Sequence, residues 1–455
     1  MRLLNPRDLT FEEFPLSEKV DYAIFSHTWY SKPRKEVLYR EIKNKFSGRV
    51  VVGRDGLVKP GMSDIPFELK KVVYCCMQAI RDKVQWVWID TCCLNKDSTA
   101  EVSEAINAMF SWYRNAKHCY VYLSDVCLST FRQSFRKSKW FKRGWTLQEL
   151  VAPHNVYFYD HDWYELGSKM TLNRLISATT RIDAETLMCQ RSLAESSIAR
   201  RMSWASDRKT TKPEDIAYCL LGVFGVNMPL LYGEGGEKAF IRLQEEIMRR
   251  SEDHTIFAWT SQCEHRGNNQ NCNRNQICEE QGQKPRGPLA RSPSEFADSA
   301  DFEPILVSND MGPPYIMTNR GLRICLPLVP DENTFIARLN CREKEGLHVA
   351  IRLRELTFEP GKYYRIDSNG LLGVDGGPAE GQEIYLTQDH ATNNNHFCLN
   401  TNLTDEGFHF ALKPEGRWKE ELNLLKLPVG TEHQTRVSLL IASEQSKSRD
   451  GLHSV

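Results

Sequence analysis

The residues best suited to chemistry stand at the ends of three short apolar runs. YAIFS (Tyr22 to Ser26) is followed by His27, Thr28 and Trp29; WVWID (Trp86 to Asp90) leads into Thr91, Cys92 and Cys93; CYVYLS (Cys119 to Ser124) leads to Asp125. A hydroxyl, an imidazole, an indole and a carboxylate gathered at one place can orient a polar ligand. A thiol beside an imidazole is also the raw material of nucleophilic catalysis, and Cys92 or Cys93 with His27 would supply it. The same residue types have plainer uses: Asp90 and Ser26 can cap neighbouring turns, Trp29 can fill a core, and apolar cysteines are usually inert. Nothing in the spacing orders a Cys–His triad. Two further motifs carry less. GEGGEKAF (Gly233 to Phe240) lacks the spacing, and the Ser or Thr after Lys, of a phosphate loop, so it reads as the glycine-rich start of a helix. Cys263, His265, Cys272 and Cys278, spaced C-x-H-x6-C-x5-C, fit no compact ligand pattern, and no metal is expected.

An α/β sheet must position these strand-end residues. Each apolar run has the length and bulk of a buried strand. Between the first two lies FELKKVVYCCMQAIRDKV, with Leu69, Val72, Val73, Cys76, Ile80 and Val84 at helical spacing. Between the second and third lies AEVSEAINAMFSWYRNAK, with Val102, Ala105, Ile106, Met109, Trp112, Tyr113 and Ala116 on one face, and Ser98 and Glu101 spaced as a capping box. Strands separated by such helices must pair in parallel, because a parallel return needs a crossover. VYFYD (Val156 to Asp160) supplies a fourth strand after the helical WTLQEL. In an open α/β sheet ligands bind beyond the carboxyl ends of the strands, where the polar residues listed above converge.

The chain of 455 residues divides by composition. Residues 1–165 carry the α/β pattern and 166–260 read as a helical extension. Residues 261–286, rich in Asn, Gln, Arg and Gly, read as a flexible linker. Residues 287–455 hold short β-rich segments such as GLRICLPLV, LHVAIRLREL, EIYLT and RVSLLIA, which predict a mostly antiparallel sandwich or barrel. Lys plus Arg (59) equals Asp plus Glu (59), so no net field gathers nucleic acid. Ile216 to Leu231, the most apolar stretch, is broken by Asn227 and Pro229 and is too short to span a membrane. Without an export signal the fourteen cysteines read as reduced thiols, and the expected location is cytoplasmic.

The stretches YAIFSHTW, WVWIDTCCLNKDSTAEVSEAINAMFSWYRNAKHCYVYLSDV and WFKRGWTLQELVAP resemble, in order and spacing, the three signature blocks of the fungal heterokaryon-incompatibility (HET) domain. RMSWASDRKTTKPEDIAYCLLGVFGVNMPLLYGEGGEKAFIRLQEEI is similar to the helical extension of many such proteins, and PYIMTNRGLRICLPL to the β-rich region that follows. Tyr30 departs from the family, which commonly places Gly after the Trp. The resemblance implies a protein that triggers programmed cell death on non-self recognition, working through protein partners or self-association. More distantly, the domain resembles Toll/interleukin-receptor-like (TIR) domains, flavodoxin-like modules of immune and cell-death proteins. In some of these a glutamate in a W-x-x-x-E helix motif cleaves NAD. Trp145 and Glu149 match that motif, which implies Glu149 as the catalytic residue, with Ser26, His27, Trp29, Asp90, Thr91, Cys92 and Trp145 around the substrate. NAD is then substrate and no cofactor is needed. A carboxylate near the ribose would stabilise the oxocarbenium-like state of glycosidic cleavage. The plainer use of Glu149 is an exposed helix residue paired with Lys142 or Arg143. Two readings stay open: an NAD glycohydrolase, and a non-catalytic homotypic signalling module of the same fold.

Overall fold

The computed structural model describes residues 1–15, 19–30, 33–53, 58–59, 61–261, 285–305, 313–343, 346–356, 359–366, 368–376 and 380–388, and the backbone of short strands beyond. The linker expected at 261–286 and the Cys263–Cys278 cluster fall almost wholly outside these residues.

The first sheet contains β1 (Arg2–Leu4), β2 (Phe11–Glu13), β3 (Tyr22–His27), β6 (Trp86–Ile89), β7 (His118–Tyr122), β8 (Val156–Tyr159) and β9 (Glu165–Ser168); a small hairpin, β4 (Val51–Val52) with β5 (Val58–Lys59), stands apart. Its order is β2-β1-β6-β3-β7-β8-β9. All six residues of β3 are buried, which explains their unbroken apolar character up to Ser26. The β3 strand pairs in parallel with β6 on one side and β7 on the other, Ile24 lying opposite both Trp88 and Cys119, and β7 pairs in parallel with β8. Counted in chain order, these parallel strands run 2-1-3-4 across the sheet, so the order reverses beside β3, where the carboxyl ends form a crevice.

The sheet is not parallel throughout, as the sequence had implied. The β1 strand pairs antiparallel with β2 and β6, and β9 antiparallel with β8. The β8–β9 connection is too short for a crossover and can only be a hairpin. Asp160 builds it by accepting the backbone N–H groups of Leu128, Asp162 and Tyr164.

The helix α2 (Phe67–Arg81) covers one face of the sheet through Lys71 and Tyr74, near His27 and Trp163. On the other face, α3 (Thr99–Asn115) packs Trp112 and Tyr113 on Trp88, and α5 (Thr146–Val151) lies over β3 and β7. Short helices α1 (Tyr39–Glu41) and α4 (Phe131–Ser134) sit in the connections. Ser98 does cap α3, accepting from the Glu101 N–H, but the capping box is incomplete: the Glu101 carboxylate instead takes Arg2 at 2.7 Å and the Asn95 N–H at 2.9 Å.

The extension holds α6 (Asn173–Thr180), α7 (Ala184–Leu187), α8 (Ile198–Ser203), α9 (Asp215–Tyr218), α10 (Leu221–Phe224) and α11 (Gly236–Met248). The glycine-rich turn before α11 is occupied from within: the Gly233 and Gly235 N–H groups donate to the Glu214 carboxylate. After it come β10 (Phe302–Pro304), β11 (Ile316–Thr318), β12 (Gly321–Asp331), β13 (Thr334–Glu343), β14 (His348–Leu356), β15 (Glu359–Ile366), β16 (Leu372–Val374) and β17 (Gly381–Leu386). The pairings β13–β12, β12–β17, β17–β15, β15–β14 and β14–β13 return to their start, so these strands close a small barrel, antiparallel except at β15–β17. Alternate residues Leu322, Ile324 and Leu326, with Ala337, Leu339 and Cys341, fill its interior.

Candidate functional site

The α5 helix delivers Glu149 to the carboxyl end of β3. Ser138 begins the turn before it, its hydroxyl donating to Asp125 at 2.7 Å and accepting the Trp140 N–H. This seats the Trp140 indole, which is fully buried and donates to Ser26 Oγ at 2.8 Å. The Ser26 hydroxyl in turn donates to Glu149 Oε2 in a short hydrogen bond. Glu149 is therefore not the exposed, ion-paired helix residue of the plainer reading. It is 7% exposed, and Lys142 pairs with Asp207 instead. Burial pushes the Glu149 carboxyl up to about 7; the Ser26 hydrogen bond opposes this, Asp90 adds to it, and Arg143 and Arg208 oppose it.

His27 follows Ser26 and so faces the opposite side of the sheet. Its neighbours there are Glu36, Lys71 and Asp90. Nε2 lies 3.7 Å from Asp90 Oδ1 and 3.9 Å from Glu36 Oε2, both beyond a direct hydrogen bond. Burial, then the positive charges of Lys71, Arg143 and Lys96, hold the imidazole well below its ordinary value, so His27 is neutral at pH 7. Each carboxylate is pinned by one oxygen. Glu36 Oε1 accepts Lys71 Nζ and the Tyr30 N–H, each at 2.6 Å, and Asp90 Oδ2 accepts Trp29 Nε1 at 2.7 Å. Tyr30, unusual for the family, is used here: its ring carries Lys71 Nζ at 3.9 Å. Trp29 is 40% exposed rather than a core residue, with Lys96 Nζ 3.4 Å and the Arg143 guanidinium carbon 5.1 Å from its ring centre.

Of the residues read from sequence, the structure brings Ser26, His27, Trp29, Asp90 and Glu149 to one strand edge. Thr91 and Cys92 lie fully buried behind Asp90, and burial holds the Cys92 thiol well above its ordinary value, which leaves no reactive thiolate. The Trp145 indole donates to Asp215 of α9 at 3.1 Å and so ties α5 to the extension. The sequence reading missed Glu36, Lys71, Lys96 and Trp140, and gave Arg143 a different role. Lys96 and Trp140 stand inside the quoted blocks, whereas Glu36 stands in none. A second group, Cys127, Asp160 and His161, has ligand atoms within 4.8 Å of one another, but the Asp160 oxygens already accept the Asp162 and Tyr164 N–H groups of the β8–β9 turn and the Leu128 N–H after β7, and His161 Nδ1 meets the Val126 carbonyl at 2.9 Å.

A parallel-centred α/β domain with a buried carboxyl at its strand edge, joined to a β-rich domain, is thus the class this chain defines. Residues 22–128 match the family model of the heterokaryon incompatibility protein (HET), and the chain carries that domain. Residues 238–346 match a domain of unknown function (DUF8212). Among curated proteins, the vegetative incompatibility protein HET-E-1 of Podospora anserina is 40% identical over 259 residues, 54% of this chain. The matched stretch spans only 18% of that relative's length. No solved structure matches significantly. Among the described residues no helix is long and apolar enough to cross a membrane.

Proposed function

We propose that this is an incompatibility-type protein whose HET domain triggers cell death by cleaving the N-glycosidic bond of NAD, with Glu149 as the catalytic residue. The observation that carries the reading is the Trp140–Ser26–Glu149 chain, which holds a half-ionised carboxyl at the crevice where the strand order reverses. The 2-1-3-4 strand order supports the TIR-like, flavodoxin-like assignment, and the relative's name supports the incompatibility role. In the reaction the C1′–N electrons leave with nicotinamide and neutralise its ring. The Glu149 carboxylate stabilises the ribosyl cation, and water adds to C1′ and gives up one proton to the solvent. Arg143 faces the negative charge of the substrate. Free, buried thiols at Cys75, Cys76, Cys92 and Cys93 support a reducing, cytoplasmic setting.

The test is nicotinamide release from NAD by the purified chain, with Glu149→Gln expected to lower turnover about a hundredfold or more. Equal turnover by the variant would remove Glu149 from the mechanism. The second reading, a non-catalytic homotypic module, is favoured by the near-complete burial of Glu149. Absence of turnover in wild-type protein that self-associates would decide for it.

A further inference from the structure

The α2 side of the strand edge holds a set of polar atoms that the hydrolysis scheme does not use. His27 is 4% exposed, yet among the described residues no protein group hydrogen-bonds its Nδ1 or Nε2. Buried Glu36 Oε2, Asp90 Oδ1 and Lys96 Nζ are in the same condition. Buried polar groups without partners are rare, and their convergence points to a ligand. The carboxylates are already oriented, since Lys71, Tyr30 and Trp29 hold one oxygen of each and leave the other directed at His27.

The chemistry of the set narrows the ligand. Two carboxylate oxygens accept only, an ammonium donates only, and a neutral imidazole offers one donor and one acceptor. An anion would meet Glu36 and Asp90, and a divalent cation would meet Lys71, Lys96 and Arg143. A hydroxyl satisfies both kinds of neighbour, because it donates one hydrogen and accepts others. The separations of 3.7 and 3.9 Å from His27 Nε2 to the two carboxylate oxygens are too long for direct bonds. They suit a hydroxyl oxygen standing about 2.8 Å from each member of a pair. Two such gaps share one nitrogen, so two hydroxyls on adjacent carbons fit them together.

We propose that His27, Glu36, Asp90 and Lys96 seat the vicinal diol of a ribose, so that the ligand of this edge is a ribonucleotide. Asp90 and Glu36 take the two hydroxyl hydrogens, and Lys96 and the imidazole donate to the hydroxyl oxygens. Asp90 also acts electrostatically on Glu149 across the strand, so the seat and the buried carboxyl flank one ligand from opposite faces of β3. The inference rests on the NAD reading for its choice of ligand but makes a separate claim about which group is gripped.

The test uses the full chain and ADP-ribose, which has no nicotinamide bond to break. Binding is measured by calorimetry and set against an analogue in which both ribose diols are replaced by methylenes. The analogue should bind the wild-type chain about tenfold more weakly or worse, because removing the hydroxyls strands buried acceptors. Glu36→Gln and Asp90→Asn should each weaken ADP-ribose about tenfold and leave the analogue's affinity unchanged. Glu36→Gln removes the charge facing buried Lys71, so thermal melting checks that it folds, and the wild-type comparison decides regardless. Equal affinity for the two ligands overturns the seat, even where nicotinamide release from NAD is robust. No ADP-ribose binding at all overturns it too, with ordered water as the occupant. Diol-dependent binding without nicotinamide release upholds the seat and sinks the hydrolase.

Discussion

Glu149 sits where its charge is unwelcome, and that has a measurable consequence for stability. Its carboxyl titrates at about 7 in the folded chain against an ordinary 4.5, chiefly because it is buried. Below the ordinary value both folded and unfolded chains are protonated and nothing is lost. As the pH rises from 4.5 to 7 the unfolded chain ionises first, so folding weakens, and above 7 the full loss is in place. A carboxyl held that far up destabilises the ionised fold by about 3 kcal/mol. Glu149→Gln keeps the shape and an acceptor for Ser26 without titrating. It should match wild type in denaturant melts near pH 4.5 and exceed it by about 3 kcal/mol at pH 8. A gap between the two proteins that does not change with pH would show that Glu149 is not held in this state. His27 also resists its charge, but it is common to both proteins and cancels in the difference. Glu149→Ala, attractive for a solvated residue, is the poorer probe: the buried site would lose packing and leave the Ser26 hydroxyl without its acceptor.

The elements that carry the site were legible in the sequence to different degrees. The strands β3, β6, β7 and β8 announced themselves because both faces are buried and their residues are almost all apolar. The strand β1 and the edge strands β2 and β9 did not. Two of them, FEE and ELGS, are short, half polar and lack alternation. The strand-end rule found Ser26, His27, Trp29 and Asp90, while Glu36 stayed hidden in the polar SKPRKEV. Its meaning comes from Lys71, 35 residues later, and no local pattern encodes that ion pair. Docking of the extension on the sheet domain was equally silent. It depends on Gly222 at α10, where an added Cβ would stand 2.0 Å from Phe110 Cβ on α3. Neither atom belongs to a flexible tip, so one helix must move. Gly222→Ala should destabilise the protein by roughly 1–3 kcal/mol in thermal or denaturant melts, despite the better helix propensity of Ala. An unchanged or raised melting temperature would mean that the extension is not anchored at this contact.

At the scale of the whole molecule the question is whether the barrel is an independent appendage or part of one cooperative unit. The contacts favour one unit. Arg365 of β15 is 1% exposed, and its guanidinium donates to the Phe257 and Trp259 carbonyls at 3.0 and 2.5 Å while lying 4.0 Å from the Trp259 ring centre. The Trp259 indole donates to the Pro288 carbonyl at 2.8 Å, and Gln244 of α11 exchanges two hydrogen bonds with the Ala290 backbone. The match at residues 238–346 crosses the same junction, from α11 into the barrel. Burial, then neighbouring Arg286, lowers the Arg365 guanidinium to about 9, so it remains charged at pH 7. Arg365→Met keeps length and apolar contact but leaves two buried carbonyls without donors, at a loss of roughly 2–4 kcal/mol. Amide exchange followed by mass spectrometry should then accelerate in the peptides around 254–261 and 285–290 and in β15, while β3 and β7 keep their protection. If the exchange at 254–261 is unchanged and the barrel alone loses protection, the two halves unfold separately, and a signal received by the barrel could not reach the Glu149 edge through this contact.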